Sequence, residues 1–228
     1  MEIVTIPCLQ DNYAYLLICQ KTGEAAVVDP SEADTVKKEI NNQNVKLTTI
    51  LNTHHHWDHV GGNKELKSDY PELKIYGHVS DRGRIPEQTE FLEDGDHVLF
   101  GEQSGSFLYN PGHTSGAITY LFGKKAFTGD TLFAAGCGRL FEGTPEQMYD
   151  SLNNRIGKLP DQTELFFGHE YTENNLRFAL SVEAGNPEIN KKLADVKVLR
   201  SYGKFSSPTT IAEEKQTNPF LRCNSDEI

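Results

Sequence analysis

Between Thr53 and Asn63 the chain reads Thr-His-His-His-Trp-Asp-His-Val-Gly-Gly-Asn, placing four of its eight histidines within one short stretch. Imidazole nitrogens and carboxylate oxygens are ligand atoms for divalent cations. A lone histidine is ordinarily a hydrogen-bonded surface or core residue. Crowded imidazoles and carboxylates are another matter: they are costly to bury without a cation, and a solvated loop has no need of this spacing. The apolar run Leu47 to Leu51 before them reads as a short buried strand. If the backbone stays extended beyond it, His54 and His56 project together while His55 and Trp57 face away. Asp58 and His59 follow, where Gly61-Gly62 is expected to turn the chain tightly and Asn63 to begin a helix.

Further donors recur at the exits of later apolar strands. Tyr109-Asn-Pro-Gly-His113, Phe127-Thr-Gly-Asp130 and Leu165-Phe-Phe-Gly-His169 each place a polar residue directly after a glycine. Loops at a shared sheet edge are where rigid scaffolds carry functional residues. The candidate ligands are therefore His54, His56, Asp58, His59, His113, Asp130 and His169, too many for one tetrahedral zinc. If one carboxylate bridges, the other six divide three and three around two divalent ions that share a water. The lack of thiolates fits zinc, iron or manganese and does not choose among them. Such a pair generates hydroxide near neutral pH and polarises a carbonyl, while the surplus positive charge stabilises an oxyanion. No separate general acid stands out, which favours thioesters over amides because a thiol leaves as thiolate.

The supporting elements alternate. Tyr13–Cys19 and Ala25–Val28 read as a hairpin, and Ser31 as the N-cap of a helix with Val36 and Ile40 on one face. Strands are expected at Lys74–Tyr76, Val98–Phe100, Ser106–Tyr109, Ala117–Phe122 and Ala126–Thr128. His78 and His97 fall in loops and are assigned structural roles. Thr144-Pro-Glu-Gln147 is a capping box opening a helix with Met148, Leu152 and Ile156 inward. From Glu170 the texture is helical, with Leu176, Ala179 and Leu180 on one stripe, a break at Gly185-Asn-Pro187, and Ile189, Leu193, Val196 and Leu199 on the next. This order suggests a layered α/β domain.

A chain of 228 residues, 37% hydrophobic and 24% charged, can bury one large core. Its net charge of −11 argues against nucleic-acid binding, which rests on clustered lysine and arginine. No apolar run approaches the ~18 residues of a membrane span, and no secretory signal is expected. Cys8, Cys19, Cys137 and Cys223 form no Cys-x-x-Cys pair, pointing to a reducing, cytoplasmic setting.

The motif His54-x-His56-x-Asp58-His59 with His113, Asp130 and His169 is similar to that of the metallo-β-lactamase superfamily. Gln10-Asp-Asn-Tyr13, Thr128-Gly-Asp-Thr-Leu-Phe133, Gly136-Cys-Gly-Arg-Leu-Phe-Glu-Gly-Thr144, Gly168-His-Glu-Tyr-Thr172 and Asn218-Pro-Phe-Leu-Arg222 further resemble the glyoxalase II family, the hydroxyacylglutathione hydrolases. The resemblance implies an αββα sandwich, with residues 1–169 a catalytic domain and 170–228 a helical substrate-binding region. It implies hydrolysis of S-lactoylglutathione to D-lactate and glutathione through a metal-bridging hydroxide. His54, His56 and His113 would hold one ion and Asp58, His59 and His169 the other, with Asp130 between, and Asp58 and Asp130 as the catalytic carboxylates. Arg139, Phe141, Tyr171 and Asn175 would lie near glutathione, although Phe141 and Tyr171 also suit ordinary packing. Phe141 stands where tyrosine is common, so a hydroxyl contact is missing. Family members usually continue past Asn218-Pro-Phe-Leu-Arg222 with a basic segment, whereas this chain stops at Ile228. Arg139, with Lys124, Lys125 and Arg222, is then the cation on offer to an anionic substrate. A monomer is expected. Two other readings stand beside this one: a mononuclear-iron glutathione persulfide dioxygenase of the same fold, and a metal-containing binding protein without catalysis. A β-lactamase is disfavoured because no cysteine occupies a ligand position.

Overall fold

Alternation along the second strand explains the layering of the molecule. The computed structural model describes residues 1–228 and opens with β1 (Glu2–Cys8) and β2 (Asn12–Ile18). In β2, Tyr13, Tyr15 and Leu17 point into one apolar core while Ala14, Leu16 and Ile18 point into another. A strand buried on both faces must lie between two layers. Next come β3 (Glu24–Val28), α1 (Ala33–Gln43), β4 (Lys46–Leu51), the single turn α2 (Trp57–Val60), α3 (Asn63–Asp69), β5 (Lys74–His78) and β6 (Glu90–Leu92). The six strands form one sheet in chain order, antiparallel from β1 to β3 and parallel from β3 to β6. Val36 and Ile40 of α1 and Leu66 of α3 cover its outer face.

The second sheet is built from β7 (Val98–Phe100), β8 (Gln103–Tyr109), β9 (Ile118–Phe122) and β10 (Lys125–Gly129). A small hairpin, β11 (Leu132–Phe133) and β12 (Gly136–Cys137), precedes α4 (Pro145–Tyr149), which continues in irregular turns to Lys158. Then follow β13 (Glu164–Phe167), α5 (Thr172–Val182), α6 (Pro187–Ser201), β14 (Thr209–Thr210) and α7 (Ile211–Thr217). Strand order in this sheet is β14-β13-β10-β9-β8-β7. Phe127 and Phe166 face the other sheet, while Ala126 and Leu165 face Met148, Leu152, Ile156 and Ile211. The layers are thus helix, sheet, sheet, helix, the αββα sandwich expected.

Hydroxyls tie the two sheets together at the end where the loops gather. Tyr15 donates to the Phe167 carbonyl at 2.6 Å and Tyr120 to the Asn52 carbonyl at 3.0 Å. A buried tyrosine hydroxyl needs such a partner. The helical C-terminal segment returns to the main body: β14 pairs with β13, and Asn218 Nδ2 donates to the carbonyls of Phe133 and Gly136 at 3.1 and 3.0 Å.

Several local expectations are corrected. The hairpin gains an extra edge strand, β1, ahead of it. Glu32, not Ser31, stands at the N-cap of α1 and makes no capping bond; Ser31 is buried instead. Gly61 and Gly62 make no left-handed turn, since their φ values are −58° and −80°. Glycine is required there by close approach: a Cβ on Gly61 would lie 2.5 Å from the Ser31 carbonyl oxygen, and one on Gly62 2.8 Å from that of Pro30. The segment leading into α1 therefore docks directly on the loop that carries the histidines. His78 caps a turn by accepting from the Ser80 N–H and stacks on Tyr109.

Candidate metal centre

The strands that deliver the donors do not belong to one sheet. His54 follows β4 of the first sheet, whereas His113, Asp130 and His169 follow β8, β10 and β13 of the second, which run in the same direction and end at one edge. The two edges meet because Ile118 N–H donates to the Thr53 carbonyl at 2.9 Å across the sandwich. Asn52 then fixes the loop from within: Nδ2 donates to the His59 carbonyl at 3.2 Å and Oδ1 accepts from Asn63 Nδ2 at 2.8 Å.

Two triads result. His56 Nδ1 lies 3.1 Å from His54 Nε2 and 3.0 Å from His113 Nε2. His59 Nε2 lies 3.2 Å from His169 Nε2, with Asp58 Oδ2 at 3.7 Å from the former and 3.4 Å from the latter. Asp130 spans both, Oδ1 3.3 Å from His59 Nε2 and Oδ2 3.5 Å from His113 Nε2 and 3.3 Å from His169 Nε2. The glycine before each donor now has a reason. A Cβ on Gly129 would fall 2.2 Å from Thr53 Oγ1, and one on Gly168 2.3 Å from Asp130 Oδ1.

Proton positions follow from the partners on the outer side of each ring. His113 Nδ1 lies 2.8 Å from the Arg139 carbonyl, which only accepts, so Nδ1 carries the proton and Nε2 is a bare lone pair. Thr53 Oγ1 donates to Asp29 Oδ2 at 2.6 Å, leaving it to accept from His54 Nδ1 at 3.0 Å. His59 Nδ1 donates to Asp29 Oδ2 at 3.0 Å and His169 Nδ1 to Asp11 Oδ1 at 2.9 Å. The inward nitrogens of His54, His59, His113 and His169 are thus acceptors, facing carboxylate oxygens that also only accept. Asp130 Oδ1 is buried with no hydrogen-bond partner. Lone pairs crowded at 3 to 4 Å call for positive charge between them, a proton or a cation, and the donor set fits divalent metal.

Burial holds His54, His56 and His113 toward the neutral form, His56 down to about 4. At His59 and His169 burial acts the same way, but Asp130, aided by Asp29 and Asp11 respectively, raises both. Asp130 itself is disfavoured as an anion by burial, yet His59 and His169 hold its carboxyl well below the usual range. The second triad demands positive charge; the first merely tolerates none.

A cavity of about 730 Å³ opens above the donors, within the size range of small-molecule sites. Trp57, Phe133, Arg139, Phe141, Tyr171 and Asn175 line it. Phe141, 63% exposed, sets its ring edge-on to His56 and His113, and Tyr171 stacks on His169 at 4.7 Å. Arg139 is the one lysine or arginine in the lining. Lys124, Lys125 and Arg222 are not there: the lysines sit at the β9–β10 turn, the opposite end of β10 from Asp130, and Arg222 is bound to Glu183. Sequence reasoning passed over Asp29 and Asp11. Asp29 ends β3 as Asp130 ends β10, so the strand-exit aspartate was a usable signal; Asp11 offered none beyond the Gln10-Asp-Asn-Tyr13 block.

Comparison with known proteins agrees with this geometry. Residues 10–169 match the metallo-beta-lactamase superfamily, and residues 170–228 match the hydroxyacylglutathione hydrolase C-terminus. A hydroxyacylglutathione hydrolase of Thermosynechococcus vestitus is 51% identical over 225 residues, covering 98% of this chain and 89% of that protein. Among solved structures, the BLEG-1 B3 metallo-beta-lactamase superposes with a TM-score of 0.73 at 23% identity, over 96% of this chain and 99% of that one. TTHA1623 in a di-iron-bound form gives 0.67 at 26% identity, over 97% and 100%. No helix is long and apolar enough to cross a membrane. The chain belongs to the hydroxyacylglutathione hydrolase family of the metallo-β-lactamase superfamily.

Proposed function

We propose that the protein hydrolyses S-lactoylglutathione to D-lactate and glutathione, using two divalent ions, zinc first among them. The observation that carries this reading is the pair of donor triads joined by Asp130 under an open cavity. His54, His56 and His113 would hold one ion, Asp58, His59 and His169 the other, and Asp130 would reach both. Bound there, the ions supply Lewis acidity and a water acidic enough to deprotonate near neutral pH.

The remaining roles belong to the cavity walls. Arg139 has no ion-pair partner and is exposed at the rim, suited to a carboxylate of the glutathione portion. Tyr171 keeps its hydroxyl proton, pushed up to about 12 by burial and by Asp11, Asp130 and Asp58, and so offers a donor. Asn175 Nδ2 is already committed to the Ala134 carbonyl at 3.0 Å, which leaves its Oδ1 for a substrate N–H. Phe141 and Trp57 contribute apolar surface beside the reacting end. A thiolate leaving group needs no proton from the protein, in keeping with a wall that carries no free acid other than the cluster's own carboxylates. One chain supplies every donor, which supports a monomer as the working unit, and four free cysteines support a reducing, cytoplasmic setting.

Release of free thiol from S-lactoylglutathione by the metal-loaded chain tests the proposal, with loss of release expected on stripping the metal. Full turnover by stripped protein would refute it. One iron per chain with oxygen uptake on glutathione persulfide would replace it with the dioxygenase reading.

A further inference from the structure

On the far side of the imidazole loop a second polar cluster joins four segments of chain. His55, turned away from the donors, accepts from Arg84 Nη2 at 2.5 Å. A guanidinium only donates, so His55 Nε2 is bare and Nδ1 carries the proton, facing Asp81 Oδ1 at 3.2 Å. Asp81 is fully buried and its oxygens have no well-formed hydrogen bond. A buried carboxylate is costly without a facing cation, and Arg84 Nη1 lies 3.4 Å from it. Gly116 makes room for it, since a Cβ there would fall 2.3 Å from Asp81 Cγ. The buried anion thereby holds the guanidinium in one orientation.

From that anchor Arg84 reaches Glu142, pairing with both carboxylate oxygens. Glu142 Oε2 also accepts from the Ser115 N–H at 2.7 Å and from Ser115 Oγ at 2.8 Å. Burial opposes its charge, but Arg84 and Ser115 hold the carboxyl down at about 2. Glu142 adjoins Phe141, whose N–H donates to the His113 carbonyl at 3.3 Å, and Gly143 N–H donates to the Gly112 carbonyl at 3.0 Å. The Phe141 wall of the cavity is thus docked by two backbone bonds and by the Glu142 carboxylate, which Ser115 and Arg84 hold together.

We propose that Arg84 is a positioning residue that latches the Phe141 wall, through Glu142, to the imidazole loop, through His55, and so sets affinity for the thioester. No member of this cluster is among the inward-facing donors. His54 is held separately by Thr53, and the loop by Asn52 and Ile118. Metal content and the chemical step are therefore expected to change little when the latch is cut. The kinetic side of this inference rests on the reaction proposed above.

The test uses the full, metal-loaded chain carrying Arg84→Ala or Glu142→Gln, the second keeping the side-chain shape so that folding is preserved. KM for S-lactoylglutathione is expected to rise about tenfold, with kcat changed by less than about threefold and wild-type metal content. Amide exchange at Phe141 and Gly143, measured without substrate, is expected to quicken about tenfold while amides of β9 and β10 stay unchanged. Unchanged exchange overturns the latch. Quicker exchange with unchanged KM, or metal loss with a kcat defect alone, overturns its role in affinity. If the wild-type chain does not cleave the thioester, the proposed reaction fails, and the exchange measurement still decides the latch.

Discussion

The two triads face each other across Asp130 but are backed by different chemistry. Behind His54 and His113 stand neutral acceptors, the Thr53 hydroxyl and the Arg139 carbonyl. Behind His59 and His169 stand carboxylates, Asp29 and Asp11, and Asn12 Nδ2 donates to Asp58 Oδ2 at 3.1 Å. A carboxylate behind an imidazole fixes its tautomer and raises its basicity as a ligand. The second triad therefore concentrates negative charge, while the first is a neutral set; each brings one half-buried member, Asp58 and His56, to the cavity. An ion held by the second triad is therefore predicted to be retained more tightly than one held by the first.

The largest effect is expected where the comparison would collapse. Asp130→Asn removes the one carboxylate that serves both triads, so turnover of the thioester should fall at least about a hundredfold. Metal content should drop below two per chain, read by elemental analysis of the dialysed protein. Next, Asp29→Asn should weaken retention of one ion by about 10- to 100-fold in a chelator titration. Thr53→Val should cost less, because it removes only a neutral support of His54 and one of Asp29's partners. Equal losses in both would end the distinction between the triads.

A smaller effect comes from protons in the metal-free chain. Burial pushes His56 down to about 4 from its ordinary 6.5. A group whose folded pKa is depressed costs the folded state as pH falls, here between about 6.5 and 4. Metal-free His56→Asn should therefore lose less stability over that window than metal-free wild type, measured by urea midpoints. His59, shifted upward, acts with the opposite sign: its contribution is complete below about 6.5 and fades as pH rises through its folded value. The same acid-resistance in His56→Asn and wild type would remove the electrostatic half of the comparison.

How much of this was legible beforehand follows the range of the interaction. His113, Asp130 and His169 could be read because each sits at a strand exit beside its own glycine, and the other four because they crowd one short motif, both local patterns. That the strands belong to two sheets could not, because the contact of Ile118 with Thr53 joins residues far apart in sequence. Gly61 and Gly62 were assigned a turn because glycine usually means backbone freedom, whereas here it means lack of bulk against Ser31 and Pro30. The capping box at Thr144 is complete in the structure, since its two bonds lie within four residues. Arg84 carries no such local signal, because most of its partners, His55, Ser115 and Glu142, come from separate segments.

Asn218 grips the carbonyls on either side of the β11–β12 turn, immediately downstream of Asp130. During synthesis, every donor is translated well before this clasp. A ribosome-stalled nascent chain exposing only residues up to Ser207 is therefore predicted to capture divalent cation less firmly than one that has extruded Asn218, as competition with a chelator would read. Maturation of the centre would then be timed by a segment that emerges after all of its donors.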